Sequence, residues 1–121
     1  MHYILLIYEN TARWSELTKE EKNRIHEACG AWHGELLKSG TARSASGLHP
    51  VSTATTVRLD AGRPFITDGP FAETKDVLGG FEIIECANLD EAIVIAKRFP
   101  ALEVGFAVEV RPLRTDGCRE E

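Results

Sequence analysis

Tyr3-Ile4-Leu5-Leu6-Ile7-Tyr8 is a run of six aliphatic or aromatic side chains, closed by the polar stretch Glu9-Asn10-Thr11. Successive side chains of a strand point to opposite faces, so a strand over residues 2–8 is apolar on both faces and needs cover on both. The run is far too short for a membrane-spanning helix, which takes about 20 residues. It therefore reads as a first, buried strand, and the elements around it decide what covers it.

Downstream, Thr18-Lys19-Glu20-Glu21 fits a capping box, in which the Thr18 hydroxyl and the Glu21 carboxylate each satisfy an orphan amide. Ile25, Ala28, Cys29, Trp32 and Leu36 then recur at helical spacing, and Gly40 is a stop signal. Gly30 and Gly34 weaken this helix; four apart on one face, they leave room for another backbone. Residues 41–51 read as a turn-prone loop holding at most one short strand. Two alternating strands follow, Thr53–Leu59 and Arg63–Thr67, joined through Asp60-Ala61-Gly62, a three-residue connection suited to a bulged hairpin. A polar loop runs to Gly79-Gly80, and Phe81–Cys86 is the next strand. Asn88 opens a second helix that Pro100 closes, and Val104–Val110 is the last strand. The tail 115–121 is polar and reads as a frayed end of one domain spanning 1–121.

Strand, long helix, antiparallel strands, second helix, strand is the order of an α+β ferredoxin-like sandwich, an antiparallel sheet with two helices on one face. Two helices cover one face of the first strand. A second copy of the chain is the economical cover for the other, so a homodimer is expected.

Composition narrows the function classes. The chain has 121 residues with 14 Lys and Arg against 19 Asp and Glu, a formal charge of −5. An acidic balance disfavours nucleic acid and anionic membrane surfaces as partners, since both are bound through Lys and Arg. Cys29, Cys86 and Cys118 are an odd set without C-x-x-C spacing, which is neither a disulfide framework nor a zinc site. With no basic n-region or cleavage site at the start, a reducing, cytoplasmic setting is expected.

The hairpin holds the candidate site. If Leu59 pairs with Arg63, Asp68 shares a sheet face with Thr56 and Arg58, opposite the helices, as the floor of a polar pocket. In Asp68-Gly69-Pro70-Phe71 the Asp either initiates a turn while Phe71 plugs the core, or acts as a general acid or base partly desolvated by Phe71. Arg58 and Arg111 suit a substrate carboxylate, or else pair with Glu109 as a structural network. His49, just before the hairpin, is the candidate proton-exchanging partner of Asp68, provided its loop folds back. His26 and His33, seven apart on the first helix, are too distant to chelate one metal alone, and read as structural, hydrogen-bonded histidines. No metal site and no cofactor is expected. No glycine-rich phosphate loop is present. Cys29 reads as a buried apolar group and the two tryptophans as core or interface anchors.

Asp68-Gly69-Pro70-Phe71-Ala72-Glu73-Thr74-Lys75, followed by Leu78-Gly79-Gly80-Phe81, resembles the signature of the DGPF-domain proteins of the YCII-related family. Residues 52–58 resemble that family's central strand, and Leu89-Asp90-Glu91-Ala92 and residues 108–113 match as well, so the resemblance runs from Tyr3 to Leu113. It implies a dimeric α+β barrel, similar in fold to muconolactone isomerase and to small cofactor-free monooxygenases. It also implies a His–Asp pair in a cleft: the Asp corresponds to Asp68, whereas the first-helix His of the relatives has a different local spacing here. Proteins of this kind are often encoded beside extracytoplasmic-function sigma factors. Two functions follow as expectations: a small-molecule-binding homodimer with cofactor-free proton-transfer chemistry at Asp68, or a non-catalytic regulatory module associated with a sigma factor. The substrate-contacting set is then Thr56, Arg58, Phe71 and Arg111, with His49 and Asp68 catalytic.

Overall fold

The computed structural model describes residues 1–114. The tail 115–121, with Cys118, lies outside the described residues. The elements are β1 (His2–Asn10), α1 (Thr11–Ser15), α2 (Lys19–Lys38), β2 (Ala42–Gly47), β3 (Thr55–Asp60), β4 (Arg63–Asp68), β5 (Asp76–Glu85), α3 (Leu89–Lys97) and β6 (Ala107–Pro112). Short 3₁₀ turns occupy Val51–Thr53 and Pro100–Val104. A four-stranded antiparallel sheet runs in the order β2-β5-β1-β6, the ferredoxin-like arrangement of an α+β fold.

β1 is the hinge of this topology, because it pairs with β5 on one edge and β6 on the other. Tyr3 and Leu5 are buried, in one core with Ile25, Trp32 and Leu36 of α2 and Ala92 and Ala96 of α3. Ile4, Leu6 and Tyr8 point to the opposite face and are only half-buried there. Leu6 pairs with Phe81 and Ile4 with Ile83, so this second face is a continuous apolar strip.

The α2 capping box forms as the sequence predicts: the Glu21 amide donates to the Thr18 hydroxyl, and the Thr18 amide to the Glu21 carboxylate. Gly40 takes a left-handed φ of 76° beyond the helix end. Asn88 caps α3 through the Glu91 amide. Three expectations change. β5 begins at Asp76 rather than Phe81, because Tyr8, Glu9 and Asn10 continue β1 and need partners in Leu78, Val77 and Asp76. The last strand starts at Ala107, since Pro100–Val104 winds a 3₁₀ turn that buries Val104 and ends at the left-handed Gly105. A third, short helix, α1, follows β1, capped by Asn10.

The largest correction concerns the hairpin. β3 and β4 pair only with each other and form a separate two-stranded ribbon outside the main sheet, so the segment 52–58 is not its central strand; β1 is. Its turn has two residues, Ala61 at φ 50° and Gly62 at φ 81°, the left-handed pair that matches strand twist. Asp60 therefore faces Arg63, Leu59 faces Pro64, Thr56 faces Thr67 and Thr55 faces Asp68. This one-residue shift moves Asp68 to the ribbon face of Thr55 and Val57, away from Thr56 and Arg58.

Where β2 crosses β5, Gly80 lets two backbones meet. A Cβ there would lie 2.9 Å from the Ser46 carbonyl oxygen and 3.3 Å from the Gly47 Cα. Neither neighbour is a side-chain end that can swing away. Gly80→Ala is therefore expected to destabilise the fold by about 1–3 kcal/mol in urea unfolding, with the denaturant slope unchanged.

Candidate functional site

A cavity of about 400 Å³ opens between α2 and the ends of β1, β2 and β5 nearest the α1 turn. Its volume is that of a small-molecule site. Trp14, Trp32, Phe99 and Phe106 supply much of its apolar wall, and the small residues Ala45, Gly47, Gly79 and Gly80 border it on the sheet side. Its polar groups are Glu9, His26, His33, Ser46 and Glu82. Two histidines seven apart lie two turns along one helix face, so α2 brings His26 and His33 to the same cavity.

Glu82 is the decisive residue. It sits in the middle of β5 opposite Leu5 of β1 and Ala45 of β2, so its side chain enters the helix-covered face and is only 3 % exposed. Its Oε1 lies 2.7 Å from His33 Nδ1, while Oε2 is buried without a hydrogen-bond partner. With Glu82 ionised, His33 Nδ1–H donates to it, which fixes the tautomer and leaves Nε2 as the basic nitrogen. Burial pushes the Glu82 carboxyl above its ordinary range, more strongly than the hydrogen bond and charge of His33 pull it down. His33 remains partly exposed at 36 %, so the pair joins a buried acid to an accessible imidazole.

Glu9 is the second acid. Gly79 makes space for it: a Cβ at residue 79 would overlap the Glu9 side chain. Burial raises the Glu9 pKa, and the charge of His26 acts the other way. The His26 ring packs edge-on against Trp14 with centroids 5.1 Å apart. Cys29 borders the cavity half-buried, and burial raises its thiol, which fits a packing group rather than a nucleophile. Trp32 is buried and donates to the Ile95 carbonyl, so it is a core anchor that also forms a cavity wall. Gly30 approaches no other backbone. A Cβ there meets nothing within 4 Å, because the residue faces the cavity.

None of the six residues singled out from the sequence lines this cavity. Thr56, Arg58 and Phe71 do come together on the ribbon. Thr56 donates to the Gly69 carbonyl at 2.8 Å, and Arg58 donates to the Phe71 carbonyl at 3.2 Å while lying over its ring. Phe71 is 74 % exposed, so it neither plugs the core nor desolvates Asp68, itself exposed. His49 is exposed as well, and neither it nor Asp68 makes a side-chain hydrogen bond among the described residues. Arg111 pairs with Glu109 on its own strand, the structural alternative to ligand binding. Among the described residues no group of three or more His, Cys, Asp or Glu side chains is placed to hold a metal ion. No helix among them is long and apolar enough to cross a membrane.

The family model of the YCII-related domain matches residues 1–114. The chain belongs to the YCII-related family. Among its relatives is an uncharacterized protein of Rhizobium meliloti (strain 1021), 37% identical over 114 residues that make up 93% of this chain and 92% of the relative. A solved structure of 5-chloro-2-hydroxyhydroquinone dehydrochlorinase from Burkholderia phenoliruptrix AC1100, in complex with 2,5-dihydroxybenzoquinone, is 19% identical. It covers 94% of both chains with a TM-score of 0.48.

In this YCII-related domain the raised Glu82 pKa has a thermodynamic sign. A carboxyl whose folded pKa is raised holds its proton more tightly when folded, so stability is full below the ordinary value of 4.5 and falls as pH rises towards the raised value. Glu82→Gln cannot ionise and removes that loss. The Tm difference between variant and wild type should therefore grow in the variant's favour as pH rises from about 4 to about 7. Thermal unfolding across this range checks it; a difference independent of pH would show that burial does not govern Glu82.

Proposed function

We propose that this protein is a small-molecule-binding member of its family that performs cofactor-free proton transfer, with His33 as the general base and Glu82 as its orienting acid. The observation that carries the reading is the 2.7 Å His33–Glu82 pair at the wall of an aromatic cavity. A carboxylate behind an imidazole fixes its tautomer and stabilises the imidazolium formed when it accepts a proton. The apolar walls lower the local dielectric, which strengthens that stabilisation. Hydrogen next to a carbonyl is the fitting target, since the enol that forms is neutral once a proton is returned to its oxygen.

The enolisable ketone 2-tetralone in deuterium oxide tests this reading. The wild-type protein should accelerate exchange of the hydrogens beside the carbonyl, followed by NMR. His33→Gln should lower the protein-dependent rate by about 100-fold or more. Equal rates for wild type and His33→Gln would overturn the assignment.

The same reading takes a homodimer as the working unit. Val57, Leu59, Phe65, Ile66 and Phe71 are each more than half exposed on or beside the β3–β4 ribbon. A two-stranded ribbon is marginal without packing, and monomers rarely leave so much apolar surface in one place. In a dimer the ribbon, with Thr56, Arg58, Asp68 and the nearby His49, meets the second copy. Light scattering on a sizing column should give twice the chain mass, with Ile66→Lys moving the protein towards the monomer. A wild-type monomer would remove this part of the reading.

A further inference from the structure

The charges around the cavity restrict what can occupy it. Its ionisable lining residues are Glu9, Glu82, His26, His33 and Cys29, and no Lys or Arg is among them. Two cations stand near it outside the lining: Lys22, over the Trp14 ring at 6.0 Å from its centroid, and Arg13, beside Gly105. An anionic ligand would meet two carboxyl groups and no guanidinium or ammonium group to offset them. A carboxylate recognised by a protein is normally held by Arg or Lys. Glu82, with its Oε2 buried and without a partner, adds a carboxyl group to the wall and no positive charge beyond His33. The aromatic rings of Trp14, Trp32, Phe99 and Phe106 fit a flat apolar body.

We propose that the cavity selects uncharged or cationic ring compounds that carry hydrogen-bond donors, such as phenols and arylmethylamines, and rejects aromatic carboxylates, with Glu9 as a determinant of that choice. This rests on the cavity being the ligand site, as argued above. Glu9 earns the role by position. It enters the cavity from the end of β1, and Gly79 is the residue that leaves it room. It makes no side-chain hydrogen bond among the described residues, so its carboxyl is available to a ligand.

Three probes with one apolar body separate the outcomes: 2-naphthol, 2-naphthylmethylamine and 2-naphthoate, titrated at about pH 7, where only the last is anionic. Binding is read from the amide signals of Gly30, Gly79 and Gly80, which border the cavity. 2-Naphthol and the amine should shift these signals, with 2-naphthoate binding at least about tenfold more weakly. Glu9→Gln should narrow that gap. Gly30→Leu, whose side chain grows into open space, should abolish binding of all three. If 2-naphthoate binds as tightly as 2-naphthol and Gly30→Leu abolishes both, the selectivity is wrong while the cavity stands. If an unaltered gap persists in Glu9→Gln, Glu9 is not the determinant. If no probe shifts these signals, or Gly30→Leu leaves the shifts unchanged, the cavity itself is not the site and the proposal falls with it.

Discussion

A carboxyl group in the interior of a sheet must be paired, protonated or both, and Glu82 places that demand on the whole molecule. It stands between Leu5, fully buried on the central strand, and Ala45 on the edge strand. Nothing on β1 or β2 at that level can donate to it. The donor has to come from the covering helix, and α2 supplies it as His33. That bond links the position of α2 over the sheet to the register of β5. A shift of β5 by one residue would send Glu82 to the other face and put Phe81 under the helix. The same bond leaves the other carboxylate oxygen buried without a partner, so the layer carries one unsatisfied acceptor.

Much of the frame was legible before any coordinates. The two-sided run Tyr3–Tyr8 marked a buried strand, and the caps at Thr18 and Asn88 placed both longer helices, because these signals are local and carry their own geometry. The cavity was not legible, for a physical reason. His33 and Glu82 are 49 residues apart and each alone has an ordinary reading: a helical histidine, and an acid on an alternating strand. One signal was available. Glu82 shares its strand parity with the apolar Ile84 and Cys86, a set fit for a core face, where an unpaired acid demands a partner. His33 shares its helix with the core residues Trp32 and Leu36.

The hairpin failed in the opposite way. Its residues were individually the most informative in the chain, yet their grouping depended on one turn. A loop of two residues instead of three reverses the face of every side chain on one strand relative to the other, so Asp68 leaves Thr56 and Arg58 although nothing about Asp68 itself changes. Sequence could not choose, because Ala61 at positive φ is uncommon for a residue with a Cβ, and a Gly-only reading favours the longer bulged loop. The ribbon's separation from the main sheet also leaves Asp68 exposed within the single chain.

A protein interior closes on itself unless something prevents it, and here small residues do so in two different ways. On the sheet side, Gly80 is enforced by the β2 backbone, and Gly79 leaves the room that the Glu9 side chain occupies. On the helix side Gly30 is not enforced, since a methyl group there would touch nothing. Alanine at that position would strengthen α2 by about 1 kcal/mol and reduce the cavity. Keeping glycine mid-helix, facing the gap beside His33 and Cys29, therefore sacrifices stability without any packing reason to do so. A cavity maintained against the helix's own preference is the pattern expected when stability has been traded for the space a ligand needs.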